Sequence, residues 1–140
     1  MPERLIEMRI PAINNRIAMI RPAVRRAAEY CGFEEADTND IVLAVAEACQ
    51  NIIVHAYGSE HNGDIVIEID NDGQDMKICL LDTAPVVDRA KIAPRNLDDV
   101  RPGGLGTHFL TTIMDHVEIL PMQAESGNIL RMSKRVGGTG

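Results

Sequence analysis

Residues 44–57 read AVAEACQNIIVHAY, an apolar run carrying an acid, an amide and an imidazole at Glu47, Asn51 and His55. On an α-helix a four-residue step rotates each of these about 40° from the last, so they form one polar stripe. Val45, Ala48, Cys49, Ile52 and Ala56 recur at spacings of three and four and make the face that packs on a core. A helix buried on most sides keeps a carboxylate and an amide only at a cost, unless those groups meet a partner. Asp37 or Thr38 is expected to cap this helix, and Gly58 to close it.

Upstream, Ile6, Met8 and Ile10 alternate with Glu7 and Arg9, the period of a half-buried strand at or near a sheet edge. Pro11 ends it. Asn14 or Asn15 is expected to cap a helix running to about Cys31, with Ile17, Ile20, Val24, Ala27 and Ala28 on one face and arginines on much of the rest. Pro22 lacks a backbone donor and is expected to kink or divide that helix. Gly32 suits a left-handed cap, with Phe33 folding back as its apolar contact. Downstream, Asp64 to Asp70 and Met76 to Asp82 alternate around Asn71-Asp72-Gly73-Gln74 and read as an antiparallel hairpin. From Thr83 to Gly104 periodicity fails, and a loop of that length in a small domain is usually functional. Thr107 to Asp115 reads as a short helix. Val117 to Leu120 and Ile129 to Lys134 read as a second strand pair around Glu125-Ser126-Gly127-Asn128.

This order of elements gives an α/β (α+β) two-layer sandwich, a mixed, mainly antiparallel sheet covered on one face by helices. Strands that come in hairpins argue against a parallel doubly wound sheet. With 140 residues, 45% of them apolar and 25% charged, one domain over residues 1–136 with a flexible tail at 137–140 is expected. A net charge of −7 sets any nucleic-acid role against repulsion from the phosphates, and two tyrosines, two phenylalanines and no tryptophan leave little to stack on bases. Cys31, Cys49 and Cys79 are scattered and odd in number, the pattern of reduced thiols rather than of a disulfide framework or zinc site. The charged start MPERLIEM and the lack of a membrane-length apolar run lead us to expect a cytoplasmic protein with no membrane contact.

Neither GxxxxGK[ST] nor GxGxxG after a strand occurs, so any phosphate binding must come another way. Three separated elements supply candidates: Glu47 and Asn51 on the central helix, Asp82 at a strand end, and Gly103, Gly104 and Gly106 ahead of a helix. Together they suit a magnesium nucleotide. An amide oxygen is a hard ligand for Mg²⁺, a carboxylate one turn earlier can take a proton, and glycines let backbone N–H groups approach an anion at a helix start.

In this order the segments resemble the motifs of the gyrase, histidine-kinase and MutL type of ATP-binding domain, and within it the small bacterial anti-sigma-factor serine kinases. Glu47-Ala-Cys-Gln-Asn51 matches the first motif and Ile-Val-His-Ala-Tyr its extension. Asp82-Thr83-Ala84-Pro85 resembles the second, with Ala84 where the family has glycine. Gly103-Gly104-Leu105-Gly106 resembles the third, and Met114-Asp115-His116-Val117 and Gly127-Asn128-Ile129-Leu130-Arg131-Met132 resemble the closing helix and strand.

The resemblance implies a histidine-kinase-type ATPase fold, with ATP and Mg²⁺ as cofactors. It further implies Glu47 as catalytic base, Asn51 as metal ligand and Asp82, with Thr83 and Ala84 beside it, as reader of the adenine amino group. Gly103, Gly104, Leu105, Gly106 and Thr107 would be the phosphate cradle, and Asn128 a base contact where relatives often carry threonine. Arg21 falls where such kinases touch their protein partners. By resemblance the expected activity is transfer of the γ-phosphate of ATP to a serine of an anti-anti-sigma (STAS-type) protein by a homodimer that also sequesters a sigma factor. The alternative is an ATP-binding regulatory module without phosphotransfer. A histidine-kinase catalytic domain would share the motifs, but the stretch before Asp37 leaves little room for its phosphoacceptor hairpin.

Overall fold

Period-two alternation decides the sheet. In the computed structural model, which describes residues 2–58, 60–61, 63–83, 110–121 and 127–137, Ile65, Ile67 and Ile69 of β2 (Asp64–Asn71) point to one face and are fully buried. Met76, Ile78 and Leu80 of β3 (Asp75–Asp82) lie beside them. β1 (Glu3–Pro11) is one edge, β4 (His116–Pro121) the other, and β5 (Asn128–Arg135) sits inside it, in the order β1-β2-β3-β5-β4. Every described pairing is antiparallel.

Register carries the alternation across all five strands. One rung runs Ile6–Ile69–Ile78–Met132–Val117, the next Met8–Ile67–Leu80–Leu130–Ile119, and the last Ile10–Ile65–Asp82–Asn128–Pro121. On β2, β3 and β5 these rungs form the buried apolar floor and give way to a polar pair in the last, while on the edge strand β4 Ile119 is exposed. Each fully buried isoleucine contributes about 1.5–3 kcal/mol of hydrophobic stabilisation.

Two helices cover this floor. α1 (Asn14–Cys31) buries Ile17, Ile20, Val24, Ala27 and Ala28, the face its spacing predicts. Neither Asn14 nor Asn15 caps it. The N-cap is Ile13, and the Asn14 N–H is satisfied from far away in sequence by Glu60 Oε2 at 2.7 Å. Pro22 does not divide the helix, which runs through it as one element with Pro22 on the exposed side, where the lost backbone bond faces solvent. Gly32, at φ 104°, closes α1 as expected, its N–H reaching the Glu29 carbonyl while Phe33 N–H reaches that of Ala28.

α2 (Glu35–Asn51) starts earlier than Asp37 or Thr38. Glu35 and Asp37 lie in its first turn, where negative charge meets the positive end of the helix dipole. Thr38 is buried instead, its hydroxyl donating to the Phe33 carbonyl at 3.4 Å. The helix does not stop at a simple cap. Residues Ile52–Ala56 form a π turn, and only then does Gly58, at φ 84°, turn the chain away.

A short helix at residues 110–113 buries Leu110 and Ile113 and is pinned to β5, with Lys134 Nζ donating to the Ile113 carbonyl at 2.8 Å. The expected start of that helix at Thr107, like the Glu125-Ser126 turn, lies outside the described residues. Asn128 belongs to β5 rather than to the turn before it. No helix among the described residues is long and apolar enough to cross a membrane.

The three cysteines are free thiols. Burial pushes Cys49 up to about 12, and also raises Cys31 and Cys79. A thiol whose folded value lies above its unfolded value of about 8.5 favours the folded state fully below that pH and loses its contribution as pH climbs towards 12. Urea midpoints of the parent protein are therefore expected to fall more steeply above about pH 9 than those of Cys49→Ala. Ile67→Ala, at the centre of the floor, is expected to cost about 2–5 kcal/mol in the same titration at neutral pH.

Candidate functional site

At the end of the helix-covered face the apolar rungs give way to two polar side chains. Asp82, the last residue of β3, is 3% exposed, and Asn128, the first of β5, is 5% exposed. They are direct cross-strand partners, and Asn128 Nδ2 donates to Asp82 Oδ1 at 3.0 Å. A buried carboxylate costs several kcal/mol unless it is hydrogen-bonded. The amide supplies one such bond, and a carboxylate has acceptor capacity for more.

Thr83, the residue after Asp82, leaves the sheet and is exposed. Its backbone N–H donates to the Tyr57 hydroxyl at 2.8 Å, its Oγ1 lies 3.1 Å from the same oxygen, and that hydroxyl donates to the Asp64 carbonyl at 2.6 Å. Tyr57 follows the π turn directly, its N–H bonded to the Ile52 carbonyl at 2.9 Å. The C-terminal end of the helical segment is thus tied to the strand end that carries Asp82. In the sequence Tyr57 stands out only as the end of the motif extension Ile-Val-His-Ala-Tyr. A tyrosine after an unbroken helical pattern, followed by Gly58 and Gly63, is the signal that was there to use.

Glu47 and Asn51 occupy successive turns of α2 and both are half-buried. Neither side chain has a hydrogen-bond or ion-pair partner among the described residues. His55, expected on the same stripe, falls in the π turn and is exposed. Arg21 is an exposed residue of α1. Ala84, Gly103, Gly104, Leu105, Gly106 and Thr107 lie outside the described residues. Of the expected site residues, the structure pairs Asp82 with Asn128, and Thr83, the next residue along β3's end, is bonded to Tyr57 at the end of the helical segment that carries Glu47 and Asn51.

No cluster of three or more histidines, cysteines or acids suited to hold a metal occurs among the described residues. The donor chemistry fits a cation of a different habit. Mg²⁺ keeps several waters and binds through few protein oxygens plus substrate phosphates, and an amide oxygen such as that of Asn51 has the hard-donor chemistry it takes.

Residues 10–134 match the model of the histidine kinase-like ATPase domain family. The chain is 33% identical over 137 residues to a serine-protein kinase RsbW of Halalkalibacterium halodurans, covering 92% of this chain and 82% of that protein. It is 28% identical over 141 residues to the RsbW of Bacillus velezensis, covering 95% and 86%. Among solved structures, the RsbU and RsbW domains of a Mycobacterium tuberculosis protein superpose with a TM-score of 0.62 at 19% identity, over 94% of this chain and 32% of that one. The SiaB–SiaC complex of Pseudomonas aeruginosa gives 0.56 at 14% identity, over 95% and 91%. These last two speak to the fold alone. A helix-covered antiparallel sheet ending in a buried aspartate, with sequence matched along nearly its whole length, makes this chain a member of the histidine kinase-like ATPase domain family and, within it, of the RsbW serine-protein kinases.

Proposed function

We propose that this protein binds ATP with Mg²⁺ and phosphorylates a serine on an anti-anti-sigma protein of STAS type, and that its other partner is a sigma factor which it sequesters. The observation that carries this reading is the buried Asp82–Asn128 pair at the rim of an otherwise apolar face. A carboxylate held there by an amide is an acceptor aimed at recognition rather than at core packing.

In this reading Asp82 accepts from the amino group of adenine, while Asn128 and Thr83 hold the rim around the base. The Asn51 amide oxygen is the protein's ligand to Mg²⁺, which when bound neutralises charge on the phosphate oxygens. Glu47, one turn before Asn51, takes the proton of the serine hydroxyl as its oxygen bonds to the γ-phosphorus and the bond to the ADP oxygen breaks. The glycine segment from Gly103 to Gly106, with Thr107, offers backbone N–H groups to the phosphates.

A phosphate placed on the partner's binding surface adds nearly two negative charges, about −1.5 to −2. With this protein already at −7, that repulsion weakens the complex and frees the kinase for its sigma factor. Arg21, exposed on α1, is the cation assigned to those partners. A homodimer, as the resemblance implies, completes the reading.

Mg-ATP at a hundredfold excess over Kd is expected to stabilise the protein by about 2.7 kcal/mol in thermal unfolding. Asn51→Ala should remove the Mg²⁺-dependent part of that stabilisation. Glu47→Ala should keep it, yet slow transfer of labelled γ-phosphate to the cognate anti-anti-sigma protein by about 10²–10⁴-fold. Unchanged binding in the first variant and unchanged transfer in the second would remove both assignments.

A further inference from the structure

The end of the β2·β3 ladder is built in an unusual way. Its last rung joins Ile65 to Asp82, so one step further the register brings Asp64 opposite Thr83. Carbonyls alternate in direction along a strand. Gly63 turns its carbonyl towards the β1 side, where it accepts the Ala12 N–H at 2.8 Å, and the Asp64 carbonyl therefore faces β3. A direct bond from Thr83 N–H to that carbonyl would continue the ladder. The Tyr57 hydroxyl stands between them instead, accepting from Thr83 N–H at 2.8 Å and donating to the Asp64 carbonyl at 2.6 Å. A phenol has one proton, and it goes to Asp64. At the 3.1 Å contact with Thr83 Oγ1 the threonine is therefore the donor.

Two features exist to seat this ring. A Cβ on Gly63 would lie 2.6 Å from the ring carbons Cε1 and Cζ and 2.7 Å from the hydroxyl, so only glycine leaves the space. The π turn Ile52–Ala56 widens the end of the helical segment just before Tyr57, and π turns of this kind cluster at functional sites. One side chain, six residues after Asn51, thus bridges the ends of β2 and β3 immediately beyond Asp82.

We propose that Tyr57 is a positioning residue for base recognition. Its hydroxyl wedges the strand ends apart and so fixes the direction in which Asp82 presents its carboxylate to the nucleobase. Without the hydroxyl, Thr83 pairs directly with Asp64, the end of β3 is drawn towards β2, and the carboxylate turns off the line it needs. The proposal rests on the reading of Asp82 as the adenine acceptor.

The test is the ratio of Kd values for ATP and for inosine triphosphate, whose 6-oxo group has no amino hydrogen to offer a carboxylate, measured by calorimetry on the parent, Tyr57→Phe and Gly63→Ala. Phenylalanine keeps the ring packing, and alanine at 63 displaces the ring with its hydroxyl intact. The parent is expected to favour ATP by tenfold or more, since a site made to hydrogen-bond a group rejects an analogue that leaves its acceptor unpaired. Both variants should lose most of that preference through weaker ATP binding. A variant pair that retains the parent's preference, or that weakens both nucleotides equally, contradicts the proposal while leaving the adenine reading intact. A parent that binds both nucleotides alike removes the adenine reading, and this proposal with it. Should Gly63→Ala unfold, Tyr57→Phe alone decides, with amide hydrogen exchange at Thr83 expected to slow if the direct ladder bond forms and to stay at the parent rate if it does not.

Discussion

A single buried hydrogen bond, from the Asn128 amide to the Asp82 carboxylate, is the constraint around which this fold makes sense as a site. Three rungs of the sheet bury branched apolar residues against the helices, and the outermost of them spends two positions on polar groups. Replacing such a pair with apolar residues of similar shape would cost little and could add stability. On a floor of isoleucine and leucine it is the feature on which the proposed base recognition rests. The rigid ladder on either side makes it useful, because β3 and β5 are each held by two neighbours and cannot drift relative to one another.

The second organising feature is the route by which the helical segment reaches that rim. Glu47 and Asn51 stand on α2, while Asp82 and Asn128 stand on the sheet, and the chain joins the two layers through a π turn and a tyrosine. A triphosphate nucleotide has its base and its phosphates at opposite ends, so a protein that binds one from two layers needs a fixed spacing between them. Packing alone gives approximate spacing. One phenol oxygen that accepts from the end of β3 and donates to the end of β2 adds a directed tie between them.

Most of the sheet was legible in the sequence because period-two alternation is a local signal, and Ile65, Ile67 and Ile69 or Met76, Ile78 and Leu80 state their face without help from the rest of the chain. The apolar face of α1 and its Gly32 cap were legible for the same reason. What escaped was set by tertiary contact. Glu60 satisfies the start of α1 across 46 positions, which no local capping pattern can reveal. Thr38 prefers a buried bond to Phe33 over the capping role its type suggests, and Pro22 is absorbed because its missing donor lies on the solvent side. Asp82 was picked out by motif order and Asn128 by resemblance, yet their mutual bond depends on the β3–β5 register, which joins residues on strands far apart in the chain. The π turn was hidden by an unbroken helical pattern from Ala44 to Tyr57.

A crystal structure of the protein with Mg²⁺ and a non-hydrolysable ATP analogue measures the central claim directly. The adenine amino nitrogen is expected within about 3 Å of an Asp82 oxygen and the Asn51 amide oxygen about 2.1 Å from the cation, both in one molecule. A nucleotide whose base lies away from Asp82, or whose metal has no bond to Asn51, contradicts it.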